Sequence, residues 1–272
     1  MTTTKAELRL DRNARLLVGM VHVGALPGTP QAQRSVAALA TQAAHEAQLL
    51  QEAGFDAVIV ENMHDLPYLK RQVGPEIVAA MTRVVQQVRA VIDLPLGVQI
   101  LAGANREALA VALSCDAQFI RAEGFVFSHV ADEGLMETAD AAPLLRERRR
   151  LGAGHVAVWA DIKKKHSSHA ITGDVNLADT AHAAEFSGAD ALIVTGTATG
   201  VATEADDLVQ AGQGSALPVV VGSGLSPDNL ALLWPHAQAF IVGSWIKKDG
   251  DWRQAVDAKR AADFVARARQ LG

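Results

Sequence analysis

Short runs of apolar residues, many of them β-branched, recur along the chain and alternate with stretches whose apolar residues keep helical spacing. The first run is 16–22 (Leu-Leu-Val-Gly-Met-Val-His) and the last is 239–242 (Ala-Phe-Ile-Val). Unbroken apolar runs of this length are typical of strands buried on both faces, as in parallel sheets. After the first run, Ser35 precedes a helical pattern that continues from Val36 to Gly54. The chain therefore predicts alternating strands and helices.

A short repeat marks the entry to four of the predicted strands. A helix end and a turn of the form Gly-x-Asp-Ala, or a close variant, precede an apolar run at 54–57, 114–117, 188–191 and 236–239. Four further apolar runs bring the predicted strands to eight, at 16–22, 94–100, 155–160 and 217–221. A helical stretch follows each strand, and eight such units in one sheet close into a barrel.

We therefore predict an α/β protein with one domain, a (β/α)₈ TIM barrel over residues 15–272, preceded by a polar N-terminal tail at 1–14. The alternative, an open doubly wound sheet, explains neither the number of strands nor the repeat. The active-site face of such a barrel lies at the carboxyl ends of its strands. Three long loops fall on that face, at 22–34, 122–139 and 162–175. The middle loop has glycines at both ends and two Phe residues, a composition that suits closure over a ligand.

Composition argues against several classes of function. A net charge of −5 without a basic block disfavours nucleic-acid binding. The single cysteine, Cys115, excludes an internal disulfide and is expected as a small buried residue in a reducing cytosol. No apolar segment has the length of a signal peptide or a membrane span. We expect a cytoplasmic protein without membrane insertion that forms a homo-oligomer.

Two neighbouring stretches near the C-terminus each end a buried strand in Gly-Ser. In a TIM barrel, phosphate groups bind after the seventh and eighth strands, where free backbone N–H groups converge. This pattern predicts an anion cradle for a small phosphorylated ligand, formed by Gly222, Ser223, Gly224, Gly243 and Ser244. The alternative is two tight turns without a ligand, because glycine suits a sharp turn equally well.

Polar groups at the predicted strand ends are the candidates for chemistry: His22, Glu61, Arg121, Glu123, Asp161, Lys163, Lys165 and His166. Asp161 and Lys163 stand two residues apart on a strand, so their side chains should face the pocket together. Such a lysine suits a general acid, a clamp or a Schiff-base nucleophile. The alternative for the whole set is a structural ring of ion pairs that holds the top of the barrel together.

The individual roles follow from side-chain chemistry. Arg121 suits bidentate recognition of a carboxylate or phosphate, and Glu61 and Glu123 are candidate bases. Lys165 and His166 could reach a second ligand group or be solvated loop residues.

His22 is a catalytic candidate, although a histidine at a strand end is often only a satisfied polar group. A divalent metal could be assembled from His22, Glu61, Asp161 and His64, but no ligand spacing demands one. We therefore predict no metal site. No Walker loop or Gly-x-Gly-x-x-Gly fingerprint indicates a nucleoside triphosphate or NAD, and no cofactor is firmly implied.

Several motifs resemble those of the BtpA/SgcQ family. They are Val-Gly-Met-Val-His with Leu-Pro-Gly-Thr-Pro in 18–30, the segment 52–62, Phe-Ile-Arg-Ala-Glu at 119–123, Asp-x-x-x-Lys-His at 161–166 and Val-Gly-Ser-Gly at 221–224. The resemblance runs from Leu16 to Lys248 and implies a barrel enzyme. It marks the positions His22, Glu61, Asn62, Arg121, Glu123, Asp161, Lys165 and His166. One branch of that family is associated with photosystem I accumulation, and another with sugar or nucleoside metabolism.

Together these observations favour an enzyme that acts on a sugar phosphate or a nucleotide-derived compound. Isomerisation, carbon–carbon cleavage and N-glycosidic cleavage are all compatible with the candidate residues. The alternative is a non-enzymatic photosystem I biogenesis factor, which should carry a large exposed apolar patch. Predicted surface segments such as 146–150 (Arg-Glu-Arg-Arg-Arg) are charged instead, which favours the enzyme.

Overall fold

A computed structural model describes residues 8, 10, 13, 15–196 and 203–272 of the chain. The predicted tail at 1–14 therefore lies mostly outside the described residues. Of that segment, Leu8 and Leu10 pack against apolar side chains inside the barrel.

The described residues form eleven strands, and eight of these close into one parallel barrel. The barrel strands are β1 (Leu16–His22), β2 (Ala57–Glu61), β3 (Leu96–Gln99), β4 (Phe119–Ala122), β7 (Ala157–Lys163), β9 (Ala191–Val194), β10 (Val219–Val221) and β11 (Ala239–Val242). They follow chain order around the barrel, and β1 closes it by pairing with both β2 and β11. The predicted single-domain (β/α)₈ barrel is confirmed.

Helices alternate with these strands: α1 (Val36–Ala53), α2 (Pro75–Arg89), α3 (Asn105–Ser114), α4 (Ala141–Arg150), α5 (Leu177–Phe186), α6 (Ala205–Gly214), α7 (Pro227–Leu233) and α8 (Ala258–Ala268). The side chain of Ser35 accepts a hydrogen bond from the Ala38 N–H and starts α1 as predicted. Gly54 ends that helix with a φ of 93°, a left-handed conformation that glycine adopts without strain. No helix in the described ranges is both long and apolar enough to cross a membrane.

Two apolar cores hold the barrel together. The larger lies between the strands and the helices, and the smaller fills the barrel interior. In the interior, the rings of Phe119 and Trp159 stack with their centroids 4.1 Å apart. A Cβ atom on Gly97 would lie 2.3 Å from the Phe119 ring, so this strand position has room only for glycine. Aromatic stacking inside the barrel therefore depends on a missing side chain in the neighbouring strand.

Two of the predicted loops form a small sheet above the barrel. Strands β5 (His129–Ala131) and β6 (Gly134–Met136) make a hairpin, and β8 (Ser167–Ser168) pairs with β5 from the other loop. We call this three-stranded antiparallel sheet the lid. A further long loop, 62–74 after β2, was not among the three predicted.

We expect Gly97→Ala to destabilise the protein by about 1–3 kcal/mol, because the new methyl group overpacks against Phe119. Urea denaturation measures the change. Gly154→Ala is the matched control, since a Cβ there meets no atom within 4 Å. Equal unfolding midpoints for the two variants would show that the stacked rings move aside freely.

Candidate active site

A cavity at the carboxyl ends of the strands contains both groups of residues that the sequence singled out. We call it the central cavity. Its lining consists of Met20, His22, Glu61, Met63, Arg121, Lys165, Gly222, Ser223, Gly224, Ile241, Gly243 and Ser244. The predicted anion cradle and four of the predicted catalytic residues therefore share one space.

Arg121 and Asp161 form a buried bidentate ion pair beside this cavity. The guanidinium Nε and Nη2 donate to the two carboxylate oxygens at 2.8 and 2.9 Å, and Nη1 donates to the Gly222 carbonyl at 3.3 Å. The Asp161 side chain is 0% exposed. Burial raises the pKa of Asp161, and Arg121 opposes that rise. The pair matches the structural alternative considered for the strand ends, since both Asp161 oxygens are already used within the protein.

Lys163 does not line the central cavity, and it shares the lining of a separate pocket with Asp161. The pairing of β7 with β9 shifts register between the two residues, and this bulge breaks the two-residue alternation of a strand. The Lys163 ammonium instead forms an ion pair with Asp207 on α6, and the Lys163 side chain is 30% exposed.

Lys165 occupies the place predicted for Lys163. It lines the central cavity, and its ammonium group makes no hydrogen bond or ion pair with any described residue, whereas its carbonyl oxygen accepts from the Ser167 hydroxyl at 3.3 Å. Burial lowers its pKa, and the nearby Glu61 carboxylate opposes that change. Sequence reasoning missed Lys164, which lies 3.4 Å from Glu123 and 3.5 Å from Glu133 through its ammonium group. The only signal for it is its place in the run of three lysines.

Glu61 and His22 lie side by side at the ends of β2 and β1. Burial is the main cause that raises the pKa of Glu61 and lowers that of His22 well below its usual value. His22 Nδ1 lies 2.9 Å from the carbonyl oxygen of Trp252, so in the neutral ring Nδ1 carries the proton. Its Nε2 therefore presents a lone pair towards the Glu61 carboxyl, 3.8 Å away.

Asn62, which the family resemblance marked, ties three loops together. Its amide nitrogen donates to Asp65 at 2.8 Å, and its oxygen accepts from the Leu101 N–H at 2.7 Å. Asp65 in turn accepts from the Leu26 N–H at 2.8 Å. Asn62 therefore fixes the loops after β1, β2 and β3 relative to each other.

The first Gly-Ser turn is partly committed to the barrel itself. The Gly222 N–H donates to the Val194 carbonyl at 2.8 Å, so it is not available to an anion. A Cβ at this glycine would lie 2.5 Å from Ile193, which explains the residue by packing. The Ser223 hydroxyl accepts from the Gly196 N–H at 3.3 Å, so it too is engaged within the barrel.

The rest of the predicted cradle is open. The backbone N–H groups of Gly224, Gly243 and Ser244 donate no hydrogen bond to any described residue. A second cavity lies between the two turns, lined by Gly224, Leu225, Ser226, Asn229, Gly243, Ser244, Trp245 and Gly250. This second cavity shares Gly224, Gly243 and Ser244 with the lining of the central cavity.

A second buried ion pair lies beneath the turn after β11. Lys247 is 0% exposed and lies 2.9 Å from Glu46 of α1. The Lys247 charge also contributes to the lowered pKa of His22. Sequence reasoning missed this pair because its partners are separated by 201 positions along the chain.

The remaining candidates lie at the edge of the site. Glu123 accepts a hydrogen bond from the Gln99 side chain at 3.4 Å. His166 directly precedes lid strand β8, and its Nδ1 lies 3.7 Å from the Asp132 carboxylate. In the described part of the chain, no group of three or more His, Cys, Asp or Glu side chains is arranged to hold a metal ion.

Comparison with known proteins identifies the family. A family model described as "BtpA family" matches residues 13–270. The chain belongs to the BtpA family. An uncharacterized mitochondrial protein of Caenorhabditis elegans is 44% identical over 267 residues, 96% of each chain. The photosystem I biogenesis protein BtpA of Synechocystis is 34% identical over 250 residues, 92% of this chain and 86% of that one.

Among solved structures, (S)-3-O-geranylgeranylglyceryl phosphate synthase from Thermoplasma acidophilum superposes with a TM-score of 0.61. The match covers 95% of each chain at 14% sequence identity. A likeness at this level of identity shows that the BtpA-family chain shares the fold of that protein.

We expect Asp161→Asn to destabilise this BtpA-family protein by about 3–5 kcal/mol, because it leaves the buried Arg121 charge without its partner. Asp207→Asn is the control: its partner Lys163 is partly exposed, so the loss should be below about 1 kcal/mol. Chemical denaturation compares the two. Similar losses would contradict the assignment of the Arg121 pair as the stronger constraint.

We expect the free energy of unfolding of Glu61→Gln to increase relative to that of wild type as the pH rises from about 4 to about 8. A carboxyl whose pKa is raised in the folded state stabilises the protein at low pH, and this contribution is lost as pH rises through the folded-state value. Thermal denaturation across this range measures the difference. Glu137→Gln should show no such gain, because the pKa of this exposed carboxyl is lowered. A difference independent of pH would contradict the shift at Glu61.

Proposed function

We propose that this chain is a TIM-barrel enzyme that acts on a small phosphorylated metabolite. One observation carries the proposal. Gly224, Gly243 and Ser244, whose N–H groups donate to no described residue, line the same cavity as the buried residues Glu61 and Lys165. One molecule can therefore contact both the anion cradle and the titratable groups.

The cradle suits a phosphate because convergent backbone N–H groups bind anions without a counter-charge of their own. It lies after β10 and β11, the last two strands of the barrel, where phosphate sites of this fold are typically found. The synthase from Thermoplasma acidophilum was crystallised in complex with its substrate sn-glycerol-1-phosphate. That protein supports the proposal through its fold.

Glu61 and Lys165 suit proton transfer on the substrate. Burial brings the two pKa values closer together, raising that of the carboxyl and lowering that of the amine. Catalytic acids and bases work best when their pKa values lie near the working pH. We assign Glu61 as the general base or acid and Lys165 as its partner. Arg121 and Asp161 hold the floor of the site. Isomerase, lyase and nucleosidase reactions are all compatible with such a pair.

The alternative function, assembly of photosystem I, is not favoured. The Synechocystis protein whose name states this role is 34% identical to this chain, whereas the nematode protein is 44% identical to it. Animals have no photosystem, so a role common to these relatives is a more general one. A small-molecule reaction in a buried site fits that requirement.

Gly243→Asp should abolish stabilisation by phosphate, because it places a carboxylate beside the N–H groups that would bind the anion. A Cβ atom has room at this glycine, since its nearest neighbour would be 3.6 Å away on His22, and circular dichroism checks that the variant is folded. In wild type, a ligand at about 100 times its Kd raises stability by about 2.7 kcal/mol. Thermal shift with inorganic phosphate and with ribose 5-phosphate measures the effect.

Gly243→Asn is the matched control and should keep more of the response, because it adds nearly the same bulk without charge. A folded Gly243→Asp variant that phosphate stabilises as much as wild type would exclude this cradle.

A further inference from the structure

A partly apolar pocket opens beside the central cavity, on the side facing the lid. We call it the mouth pocket. It is lined by Met63, Leu66, Tyr68, Leu101, Glu123, Asp132, Glu133, Lys164, Lys165, His166 and Trp252. It shares Met63 and Lys165 with the central cavity, so Lys165 lies between the mouth pocket and the anion cradle.

The apolar wall of this pocket forms a cluster separate from both barrel cores. Met63 and Leu101 are nearly buried, while Tyr68 and Trp252 pack against them and remain partly exposed. The Tyr68 hydroxyl donates to the Met63 carbonyl at 2.6 Å, which fixes its ring. The Trp252 carbonyl oxygen accepts a hydrogen bond from His22 Nδ1. The Trp252 ring lies against the ring of His64, with the two centroids 5.0 Å apart. These aromatic side chains are therefore held in place before any ligand binds.

The opposite wall is charged and contains a carboxylate whose contacts are long. Glu123 is 3% exposed, and its Oε1 accepts from Gln99 at 3.4 Å. Its Oε2 forms an ion pair with the Lys164 ammonium, also at 3.4 Å, and has no well-aligned hydrogen bond from any described residue. Charge-assisted hydrogen bonds are usually shorter than this, so a ligand that supplies an N–H or O–H group would add a contact that this buried oxygen lacks.

We infer that the substrate carries, at the end away from its phosphate, a flat and largely apolar ring with at least one hydrogen-bond donor. The ring lies in the mouth pocket against Trp252 and Met63, and its donor faces Glu123. The bond that reacts then lies between ring and phosphate, next to Glu61 and Lys165. This inference rests on the proposed function, and it selects a ring-bearing sugar phosphate over a plain one.

Calorimetric titration tests this inference with ligands that share a ribose 5-phosphate and differ in whether a base is attached to it. Ribose 5-phosphate is compared with adenosine and cytidine 5′-monophosphates, which add a large or a small flat ring with donor groups. We expect at least one nucleotide to bind wild type about tenfold more tightly than ribose 5-phosphate, because a base gains affinity by stacking on an aromatic side chain. Trp252→Ala should remove most of this gain while leaving the Kd of ribose 5-phosphate unchanged.

Two further variants separate the contributions. Trp252→Phe should keep most of the gain, since it preserves a flat ring. Glu123→Leu, which removes the acceptor, should weaken binding of the nucleotide by a larger factor than binding of the sugar phosphate.

Equal affinities for all three ligands, with binding that depends on Gly243, would overturn the ring pocket and leave the proposed function standing. A nucleotide preference that survives Trp252→Ala would also overturn it. Binding of none of the phosphorylated ligands, nor of inorganic phosphate, would instead sink the proposed function and this inference with it.

Discussion

The ion pair between Arg121 and Asp161 is the constraint on which the rest of the site depends. It joins β4 to the neighbouring β7 and then crosses the barrel to the carbonyl that follows β10. Two buried charges cost more free energy than they return unless every polar atom has a partner, and here the bidentate geometry supplies those partners. The pair thus closes the top of the apolar interior. Above this floor, neither Glu61 nor Lys165 forms an ion pair with an oppositely charged Asp, Glu, Lys or Arg side chain of the described residues, so both can respond to a ligand.

The barrel was predictable because its strands are buried on both faces. Each strand therefore appears in the sequence as an unbroken apolar run, and the helix ends carry the glycines and caps that local geometry requires. The position of the turn at Gly243 and Ser244 was predictable for the same reason, since it follows directly from where the apolar run of β11 ends. Gly222 shows the limit of that reasoning, because packing and an anion site call for the same residue.

Side-chain direction after β7 was not predictable. One bulge shifts the register before Lys163, which pairs with Asp207, while Lys165, beyond the end of β7, lines the central cavity. Nothing in a run of three lysines distinguishes them locally. The family resemblance did mark Lys165. The lid was not predicted either, because β5 and β8 are far apart in the chain and too short to show a strand pattern. Contacts such as Glu46 with Lys247 depend on the complete fold, which local spacing does not reveal.

The lid also limits how this barrel can diversify. In most barrels each loop is a separate module, and new activities arise when single loops change in length. Here β5 pairs with a strand that begins two residues after Lys165, so a deletion in either segment would disturb the position of the amine. The two segments must therefore change together. An attempt to transplant this specificity into another barrel would have to move both segments, along with the bulge in β7 that precedes them.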